Sequence, residues 1–218
     1  MRRATDTVPR LYVYKLTTDN GGAPCVYKGR LSLAICKPSI RRTAKEGDWI
    51  FGFGGRDLGG RLIFIARVTK RVENGSYYMD GVYRGRPDRV YRREGGQFVP
   101  RQGARYHADG SQRERDLGKP PSYANAVTLL SDDFRYWGKN GTSDYRGRFP
   151  AVAALLDRLA RGHRVNLSDA ERQELVELQR SQWQAHPKAK VLGAPSQGDP
   201  RKVCNRSEGG VGSGSLEP

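Results

Sequence analysis

Two nearly continuous apolar runs constrain the fold of this chain more than any other feature. They are "WIFGFGG" at residues 49–55 and "RLIFIARVTKRV" at residues 61–72. Neither run alternates cleanly between apolar and polar residues. This pattern is typical of strands that are buried on both faces or that lie in a closed barrel. The centre of the fold is therefore predicted to be a sheet.

Further strand patterns flank these runs, and helices come last. Strands are also predicted at 11–17, 30–36 and 125–131. From residue 150 the apolar period becomes helical, with Pro150 in the first turn and Gly162 as the stop. Ser168 and Glu171 form a capping box that begins a second helix. This order predicts an α+β domain with a curved or barrel-like, mainly antiparallel sheet and C-terminal helices.

The same patterns divide the chain into segments. We expect a flexible N-terminus at 1–10, a single domain at 11–186 and a disordered tail, rich in Gly, Ser and Pro, at 187–218. Within the domain, the expected parts are a strand core at 11–72, a basic loop region at 73–126, and a strand with helices at 127–186. A loop region of that length is uncommon in a compact domain unless it is functional or mobile.

The charge balance points to a polyanionic partner. The chain has 39 Lys and Arg residues against 23 Asp and Glu residues, a formal net charge of +16. Such a charge attracts nucleic acid or an anionic membrane surface. Arginine outnumbers lysine, which favours phosphate and base recognition. A GC-rich genome produces the same bias, so the charge alone does not identify the partner.

Several classes of protein are disfavoured by what the sequence contains. No segment approaches the roughly 18 apolar residues of a membrane span, and the N-terminus has no signal-like apolar region. We therefore expect a cytoplasmic protein with no membrane partner. Cys25, Cys36 and Cys204 are too few and too irregular for a disulfide framework or a zinc site. No metal and no cofactor are expected, and the oligomeric state stays open.

Two sequence blocks carry a family resemblance. The first runs from residue 17 to residue 55 and contains "AP", "LAICKPSIR" and "GDW"; the second is "LLSDDFRYWGKN" at 129–140. Both resemble the type-two nucleotide modification-associated domain family. A looser third block is "DRVY" at 88–91, with His107 downstream. The resemblance covers roughly residues 11–165. Its matching positions in the first block are Asp19, Gly22, Ala23, Pro24, Leu33, Ala34, Cys36, Lys37, Pro38, Ile40, Arg41, Gly47, Asp48 and Trp49.

The resemblance implies work on modified bases in DNA, often in conflict between phage and bacterium. The strand after the "GD" turn is also similar to PUA-like barrels, in which such a strand borders a base pocket. Two functions follow as hypotheses. The first is a DNA glycosylase-like hydrolase that flips and excises a hypermodified base. The second is a non-catalytic PUA-like reader of modified bases in double-stranded DNA, since a fold alone does not decide between binding and catalysis.

Asp19 and Asn20 are the candidate catalytic residues. They lie in a Gly-rich turn after the first predicted strand. A carboxylate there is suited to stabilising an oxocarbenium-like sugar or to activating water, and the amide is suited to positioning that water. For Asp19 the alternative is an Asx turn, in which its side chain bonds the backbone two residues on, and for Asn20 it is a structural role in the turn. Asp132 and Asp133 are a second pair of candidate carboxylates. The alternative role for one of them is to cap the N-terminus of the short turn in "DDFRYWG".

A flipped base needs aromatic side chains to stack on, and each such stack contributes about 1–3 kcal/mol. Alternating aromatics such as Phe134 and Tyr136 are also commonly core residues, and a strand tryptophan is commonly buried. His107 is either a general acid, a phosphate ligand or a plain surface histidine. The candidate base-pocket residues are Trp49, Phe134, Tyr136, Trp137, Asp132, Tyr91 and His107.

Basic residues concentrate in two segments, around 37–42 and around 84–93. Arg41 and Arg42 cannot share one helical face, so we expect one on phosphate and one directed inward. The second segment fits a mobile clamp on a DNA backbone or a solvated loop. The candidate DNA-backbone residues are Lys37, Arg41, Arg42, Arg84, Arg86, Arg89, Arg92, Arg93 and Lys139.

Overall fold

The computed structural model describes residues 8–160 and 162–197. The strands are β1 (Leu11–Leu16), β2 (Cys25–Tyr27), β3 (Arg30–Leu33), β4 (Trp49–Gly54), β5 (Leu62–Arg67), β6 (Lys70–Val72), β7 (Tyr91–Glu94), β8 (Gln97–Pro100), β9 (Thr128–Ser131), β10 (Asp133–Tyr136) and β11 (His163–Arg164). The helices are α1 (Pro38–Thr43), α2 (Ser76–Met79), α3 (Arg113–Leu117), α4 (Tyr145–Arg148), α5 (Pro150–Arg158) and α6 (Asp169–Ala185).

The central five-stranded sheet has the order β10-β5-β4-β1-β11. β4 pairs in parallel with β1 and antiparallel with β5, and the two outer pairs are antiparallel. β4 and β5 are the two apolar runs of the sequence. They are buried on both faces, as predicted, because the sheet is covered on both sides.

A second sheet has the order β2-β3-β9-β6 and is antiparallel throughout. β7 and β8 form a separate hairpin. The α+β class and the mainly antiparallel pairing are confirmed. The described strands do not close into a barrel, because β10 and β11 end the five-stranded sheet at opposite edges without pairing.

Three apolar clusters hold these layers together. One joins the two sheets, and includes Tyr12 and Tyr14 of β1. The intervening residues Leu11 and Val13 face the other way, onto α5 and α6. This alternation follows from the two-residue period of a strand. The third cluster covers the outer face of the second sheet.

The third cluster corrects the expectation of a basic loop region at 73–126. This region contains α2, α3 and the β7–β8 hairpin, and its tyrosines are buried rather than exposed. Tyr77, Tyr78 and Tyr91 are each 1 % exposed or less. Aromatic burial therefore folds the region into a layer, although its sequence is polar.

Both chain ends also differ from expectation where they are described. The backbone N–H of Arg10 donates to Asp48 and its carbonyl accepts from the N–H of Trp49, so Arg10 is held against the start of β4. Residues 190–197, named here the C-terminal strap, run along Tyr136, which bonds both Lys190 and Leu192. The expected tail therefore begins later than residue 187. Residues 1–7 and 198–218 lie outside the described residues.

The C-terminal helices confirm the sequence pattern. α5 begins at Pro150, and α6 begins after Ser168, whose side chain forms the predicted capping box with Glu171. Among the described residues, no helix is long and apolar enough to span a membrane.

Candidate active site

Cys36 occupies a sharp turn between β3 and α1. Its φ is 57°, and that of Lys37 is 44°, so two consecutive side-chain-bearing residues adopt the left-handed conformation. This conformation is uncommon outside glycine and is retained where the surroundings enforce it. The turn places a partly exposed cysteine between a strand and a helix, in the manner of nucleophiles placed on strand-to-helix turns.

His107 bridges this thiol and a buried carboxylate. The Nε2 atom of His107 lies 3.7 Å from the Sγ atom of Cys36, and its Nδ1 atom lies 2.5 Å from Oδ2 of Asp116. The side chain of His107 is 3 % exposed and that of Asp116 is fully buried. A carboxylate beside Nδ1 holds the proton there and leaves Nε2 as the acceptor that faces the thiol.

Asp116 is fixed by further hydrogen bonds. Its Oδ1 atom accepts from the backbone N–H of Cys36 at 2.7 Å, and its Oδ2 atom accepts from the hydroxyl of Tyr91 at 2.8 Å. The carboxylate therefore contacts both the nucleophile's backbone and the histidine ring. Three segments that are distant in sequence meet at this one side chain.

Arg41 binds the backbone of the same site. Its guanidinium donates to four backbone carbonyls, those of Cys36, Asp116, Asn125 and Val127, at 2.6–2.7 Å. Arg41 is fully buried, so it is the arginine that points inward, and Arg42 is the exposed one. One arginine of the pair points inward, as predicted, which removes Arg41 from the candidate DNA-backbone residues; contact of Arg42 with phosphate stays a prediction.

Cys36, His107 and Asp116 have the composition of a catalytic triad. A thiol, an imidazole within reach and an orienting carboxylate are the parts of a cysteine nucleophile. Each of the three residues also offers one possible metal-ligand atom, and these atoms lie within 4.8 Å of one another. Only Sγ and Nε2 face a common point, because Asp116 binds the opposite ring nitrogen. Two ligands are fewer than a zinc site requires, and the donor set fits the triad better.

Asp19 lies under the C-terminal strap. It is 1 % exposed, and its Oδ1 atom accepts from the Tyr136 hydroxyl at 2.6 Å. Its Oδ2 atom accepts from the backbone N–H and the hydroxyl of Ser196, both at 2.9 Å. The Asx turn that was the alternative for Asp19 is formed instead by Asn20, whose Oδ1 atom accepts from the backbone N–H of Gly22.

Two buried polar atoms near these groups have no hydrogen-bond partner within the described part of the chain. They are the Tyr14 hydroxyl and the Nδ2 atom of Asn20. Burial, and after it the neighbouring Cys36 thiol and Asp19 carboxylate, raise the pKa of Tyr14. The Tyr14 hydroxyl therefore remains a proton donor and lies near both groups. Unpaired buried donors are costly and point to a missing acceptor, such as a ligand atom.

The aromatic residues of the second sequence block are mainly core residues. Phe134 and Tyr136 are buried in the cluster between the sheets. Trp137 faces the other way and lines a cavity of about 400 Å³ beside α4 and α6. Trp49 packs edge-to-face on Trp183, with ring centroids 5.3 Å apart. The expected base pocket is therefore not assembled from these four residues.

The remaining base-pocket candidates separate into two places. Asp132 is exposed and forms a bidentate ion pair with Arg30, at 2.7 and 2.9 Å, which lowers the pKa of Asp132. Tyr91 and His107 instead both contact the carboxylate of Asp116. They come from the third sequence block and the position downstream of it.

A comparison of the whole chain with family models identifies its relatives. The model described as nucleotide modification associated domain 2 matches residues 8–204. The chain belongs to this family. Membership associates the protein with modified nucleotides, and the match includes the C-terminal strap, beyond the residues 11–165 of the sequence blocks. The comparisons with curated proteins and with solved structures found no match.

Residues of the quoted sequence blocks lie in and around the triad. "CKPSIR" supplies Cys36 and Arg41, and "DRVY" supplies Tyr91. Asp88, at the start of "DRVY", is fully buried. Its carboxylate accepts from the hydroxyl of Tyr77 at 2.6 Å and from the hydroxyl of Ser32 at 2.5 Å. Burial raises the pKa of Asp88. This network fixes the segment that carries Tyr91 against β3.

The predicted basic residues of the domain do not form one surface. Arg86 is buried, donates to Tyr77 and Ser32, and pairs with Asp88 at 3.5 Å, so it is structural. Lys37 and Arg89 are partly exposed. Arg92 is exposed and forms an ion pair with Glu94 at 2.8 Å. The other exposed candidates are Arg42, Arg84, Arg93 and Lys139.

Two members of the triad escaped the sequence analysis. Cys36 is inside the quoted motif but was considered only as a possible zinc ligand or disulfide partner. Asp116 lies in a polar segment without any distinguishing pattern. A cysteine in a family motif, taken together with a histidine elsewhere in the chain, was the available signal for a nucleophile.

Proposed function

We propose that this protein is a cysteine-dependent hydrolase that removes an acyl-type group from a modified base. The observation that carries the proposal is the alignment of Cys36, His107 and Asp116, with 3.7 Å between thiol and imidazole and 2.5 Å between imidazole and carboxylate. Membership of a nucleotide modification family supplies the substrate class. Thiol, imidazole and carboxylate in this order are suited to acyl transfer.

The reaction divides into two steps. His107 takes the thiol proton, and the Cys36 thiolate attacks the carbonyl carbon of an amide or ester that joins an acyl group to the base. His107 returns the proton to the departing nitrogen or oxygen, and a thioester remains on Cys36. Water, deprotonated by His107, then hydrolyses the thioester. The products are a carboxylic acid, the base freed of its acyl group and the original thiol.

This proposal replaces N-glycosidic cleavage by Asp19 as the favoured chemistry. A carboxylate that stabilises an oxocarbenium-like sugar must reach the sugar. Both oxygens of Asp19 already accept hydrogen bonds, from Tyr136 and Ser196, beneath the strap. Cys36 is partly exposed, whereas Asp19 is not. Excision of the base therefore requires the strap to move, and thiol chemistry does not.

DNA is the polymer we propose as substrate. The formal net charge of +16 favours a polyanion over an uncharged substrate. The exposed arginines Arg42, Arg84 and Arg92 supply sequence-independent phosphate contacts. A role in defence against phages with modified DNA stays a prediction of the family resemblance.

The test compares wild-type protein with Cys36→Ser on DNA that contains N-acylated, hydroxymethylated, glucosylated or unmodified bases. Nucleosides are released by nuclease digestion and measured by mass spectrometry. The proposal predicts loss of the acyl group, with the base retained, in wild type alone. Alkali-labile breaks that persist in Cys36→Ser but vanish in Asp19→Asn would instead establish the glycosylase.

A base reader is the second candidate, because one observation favours it. The 400 Å³ cavity at Trp137 is within the size range of small-molecule sites and combines apolar walls with polar side chains, including Asn140 and His186. A reader predicts selective binding of modified DNA that Trp137→Leu weakens and Cys36→Ser leaves unchanged. Equal binding of modified and unmodified DNA by wild type would exclude it.

A further inference from the structure

Two exposed apolar side chains lie close together in the chain between α2 and β7. Among residues 8–160 and 162–197, the large apolar side chains that are exposed are those of Val8, Met79, Val82 and Val191. Met79 ends α2, and Val82, which is 71 % exposed, follows three residues later. Apolar side chains scattered singly on a surface are ordinary, so this pair gains meaning from the charges around it. Residues 79–84 are named here the α2 corner.

Local hydrogen bonds hold the α2 corner in one shape. The carboxylate of Asp80 accepts from the backbone N–H of Val82 at 2.9 Å, and the backbone N–H of Asp80 donates to the carbonyl of Ser76 at 2.9 Å. The N–H of Arg84 donates to the carbonyl of Gly81 at 3.0 Å. The backbone that carries the exposed side chains is therefore ordered before a partner binds, which lowers the entropic cost of binding.

Three arginines adjoin the corner. Arg84 is exposed, and Arg89 and Arg101 are partly exposed at the open end of the β7–β8 hairpin. Burial, and after it the positive charges of Arg101 and Arg84, lower the pKa of Arg89, against a smaller opposite effect of Asp80. The three guanidinium groups are therefore close enough to repel one another.

These arginines have no carboxylate partner in the described part of the chain. None of the three forms an ion pair there. The Nε atom of Arg89 is buried and makes no hydrogen bond with the described residues. Guanidinium groups gathered without a counter-charge are complementary to an external anion, and phosphate oxygens fit their paired donors.

Arg101 lies between the corner and the proposed active site. Its guanidinium donates to the backbone carbonyl of Tyr78 in α2 at 3.1 Å and to that of Tyr91 at 2.8 Å. The hydroxyl of Tyr78 donates to the carbonyl of Ala34 at 2.7 Å, and that of Tyr91 donates to the carboxylate of Asp116 at 2.8 Å. Two tyrosine side chains therefore span the distance from Arg101 to the segments that carry the triad.

We propose that the α2 corner docks on duplex DNA beside the base on which Cys36 acts, with Met79 and Val82 as an apolar wedge in the base stack. The three arginines bind the adjacent backbone phosphates. This inference rests on the proposed function and deepens it, because a base in a duplex reaches a catalytic site only after it has left the stack. Apolar side chains, methionine among them, open base steps in this way in other DNA-binding proteins.

The size of the apolar surface favours DNA over an anionic membrane as the partner. Binding at a membrane surface scales with the apolar area that is buried. The corner offers two apolar side chains beside a helix of four residues, which is a small area for that purpose. A wedge between two bases needs no more than this.

The wedge is tested with a duplex that contains one 2-aminopurine, a base whose fluorescence rises when it is unstacked. Wild-type protein should raise the fluorescence. Val82→Ser should reduce that rise by about two- to tenfold, the usual effect of losing one apolar side chain from a buried contact. Val8→Ser is the matched control, because Val8 is 75 % exposed and lies outside the corner. No rise in wild type, or an equal reduction in Val8→Ser, would overturn the wedge.

The phosphate contacts are tested through the salt dependence of binding to the same duplex. Arg84→Gln and Arg89→Gln should each reduce the slope of log K against log salt concentration by about one. Arg180→Gln, at an exposed position of α6, should leave the slope unchanged. Slopes that stay unchanged in both corner variants would overturn the docking surface.

Failure of the docking surface is distinguishable from failure of the hydrolase. If the corner variants bind and unstack like wild type, while wild type deacylates DNA and Cys36→Ser does not, the docking surface alone is overturned. If wild type unstacks 2-aminopurine through the corner but deacylates nothing, the hydrolase alone is overturned. Absence of any binding to DNA overturns both. Binding to anionic phospholipid vesicles that Val82→Ser abolishes, with DNA binding unaltered, would assign the corner to a membrane instead.

Discussion

The Nδ1 atom of the His107 imidazole lies 2.5 Å from the carboxylate of Asp116. His107 was named as a candidate from the sequence but was not paired there with Asp116. The contact joins the segment after β8 to helix α3 and points Nε2 of the ring at the thiol of Cys36. The carboxylate decides which ring nitrogen carries the proton. The chemistry proposed for the thiol depends on that choice.

Asp116→Asn tests this dependence. The asparagine amide donates to Nδ1 when it takes the same rotamer, so the ring proton moves to Nε2 and cannot be exchanged for the thiol proton. We expect the turnover of an acylated substrate to fall by about 10²–10⁴-fold, the usual contribution of a positioned acid–base group. The measurement is single-turnover kinetics by mass spectrometry.

Tyr91→Phe is the control for that substitution. It removes a hydrogen bond to the same carboxylate but leaves the His107 contact in place. We expect a loss of about 1 kcal/mol in the free energy of unfolding, with turnover reduced far less than in Asp116→Asn. Equal losses of turnover in the two variants would mean that Asp116 acts only as a structural anchor.

Substitutions of the neighbouring residues Arg41 and Arg42 should differ greatly in their effect on the free energy of unfolding. Arg41→Met leaves four carbonyls without their donor, those of Val127 and Asp116 in buried hydrogen bonds and those of Cys36 and Asn125 in partly buried ones. Each unsatisfied buried group costs about 1–3 kcal/mol, and the costs are less than additive. We expect a loss of about 3 kcal/mol or more in urea unfolding. Arg42→Gln should change stability by less than about 0.5 kcal/mol, since its side chain is exposed.

The same pair separates folding from DNA binding. Arg42→Gln should weaken DNA binding and reduce its salt dependence, because a phosphate contact is lost. Gel-shift titrations at several salt concentrations measure both quantities. Unaltered salt dependence in Arg42→Gln would remove this face from the DNA interface.

Asp19→Asn examines the strap. The carboxylate binds Ser196 and Tyr136, so the amide should weaken the attachment of residues 190–197. We expect faster amide hydrogen exchange in the strap and a loss of about 1–3 kcal/mol in stability, with deacylation retained. Abolished catalysis with unchanged strap exchange would restore Asp19 as the catalytic carboxylate.

His163 offers a test based on its pKa. Burial is the larger cause of its lowered pKa and the charge of Lys37 the smaller one, so Lys37→Met should raise this pKa only part of the way to its ordinary value. A histidine titration by nuclear magnetic resonance measures the change. A lower pKa of His163 in Lys37→Met would contradict this electrostatic effect of Lys37.

Local sequence patterns predicted the strands and helices but not how they pack and pair with one another. The apolar runs of β4 and β5, the start of α5 at Pro150 and the Ser168 capping box were readable because each depends on neighbouring residues. The burial of Tyr77, Tyr78 and Tyr91 was not, because it depends on the second sheet supplying a surface for them. Closure of a barrel is likewise a matter of distant strand pairing.

The site shows the same division. His107 and Tyr91 were named as candidates, yet as parts of a base pocket. Their common partner Asp116 lies 80 residues from Cys36, whose N–H it accepts, and its own surroundings in sequence are simply polar. No local period links such residues. An Asx turn spans only two residues, and one was expected in this loop, although at Asp19 rather than at Asn20, where it lies.

The central claim is that His107 activates Cys36, and the rate of Cys36 alkylation by iodoacetamide near neutral pH measures it most directly. In protein carrying Cys204→Ser, Cys25 serves as an internal reference, since burial raises the pKa of its thiol. We predict that Cys36 reacts while Cys25 does not, and that His107→Ala slows the reaction at Cys36 by at least about tenfold. Equal rates at Cys36 in wild type and His107→Ala would contradict the account.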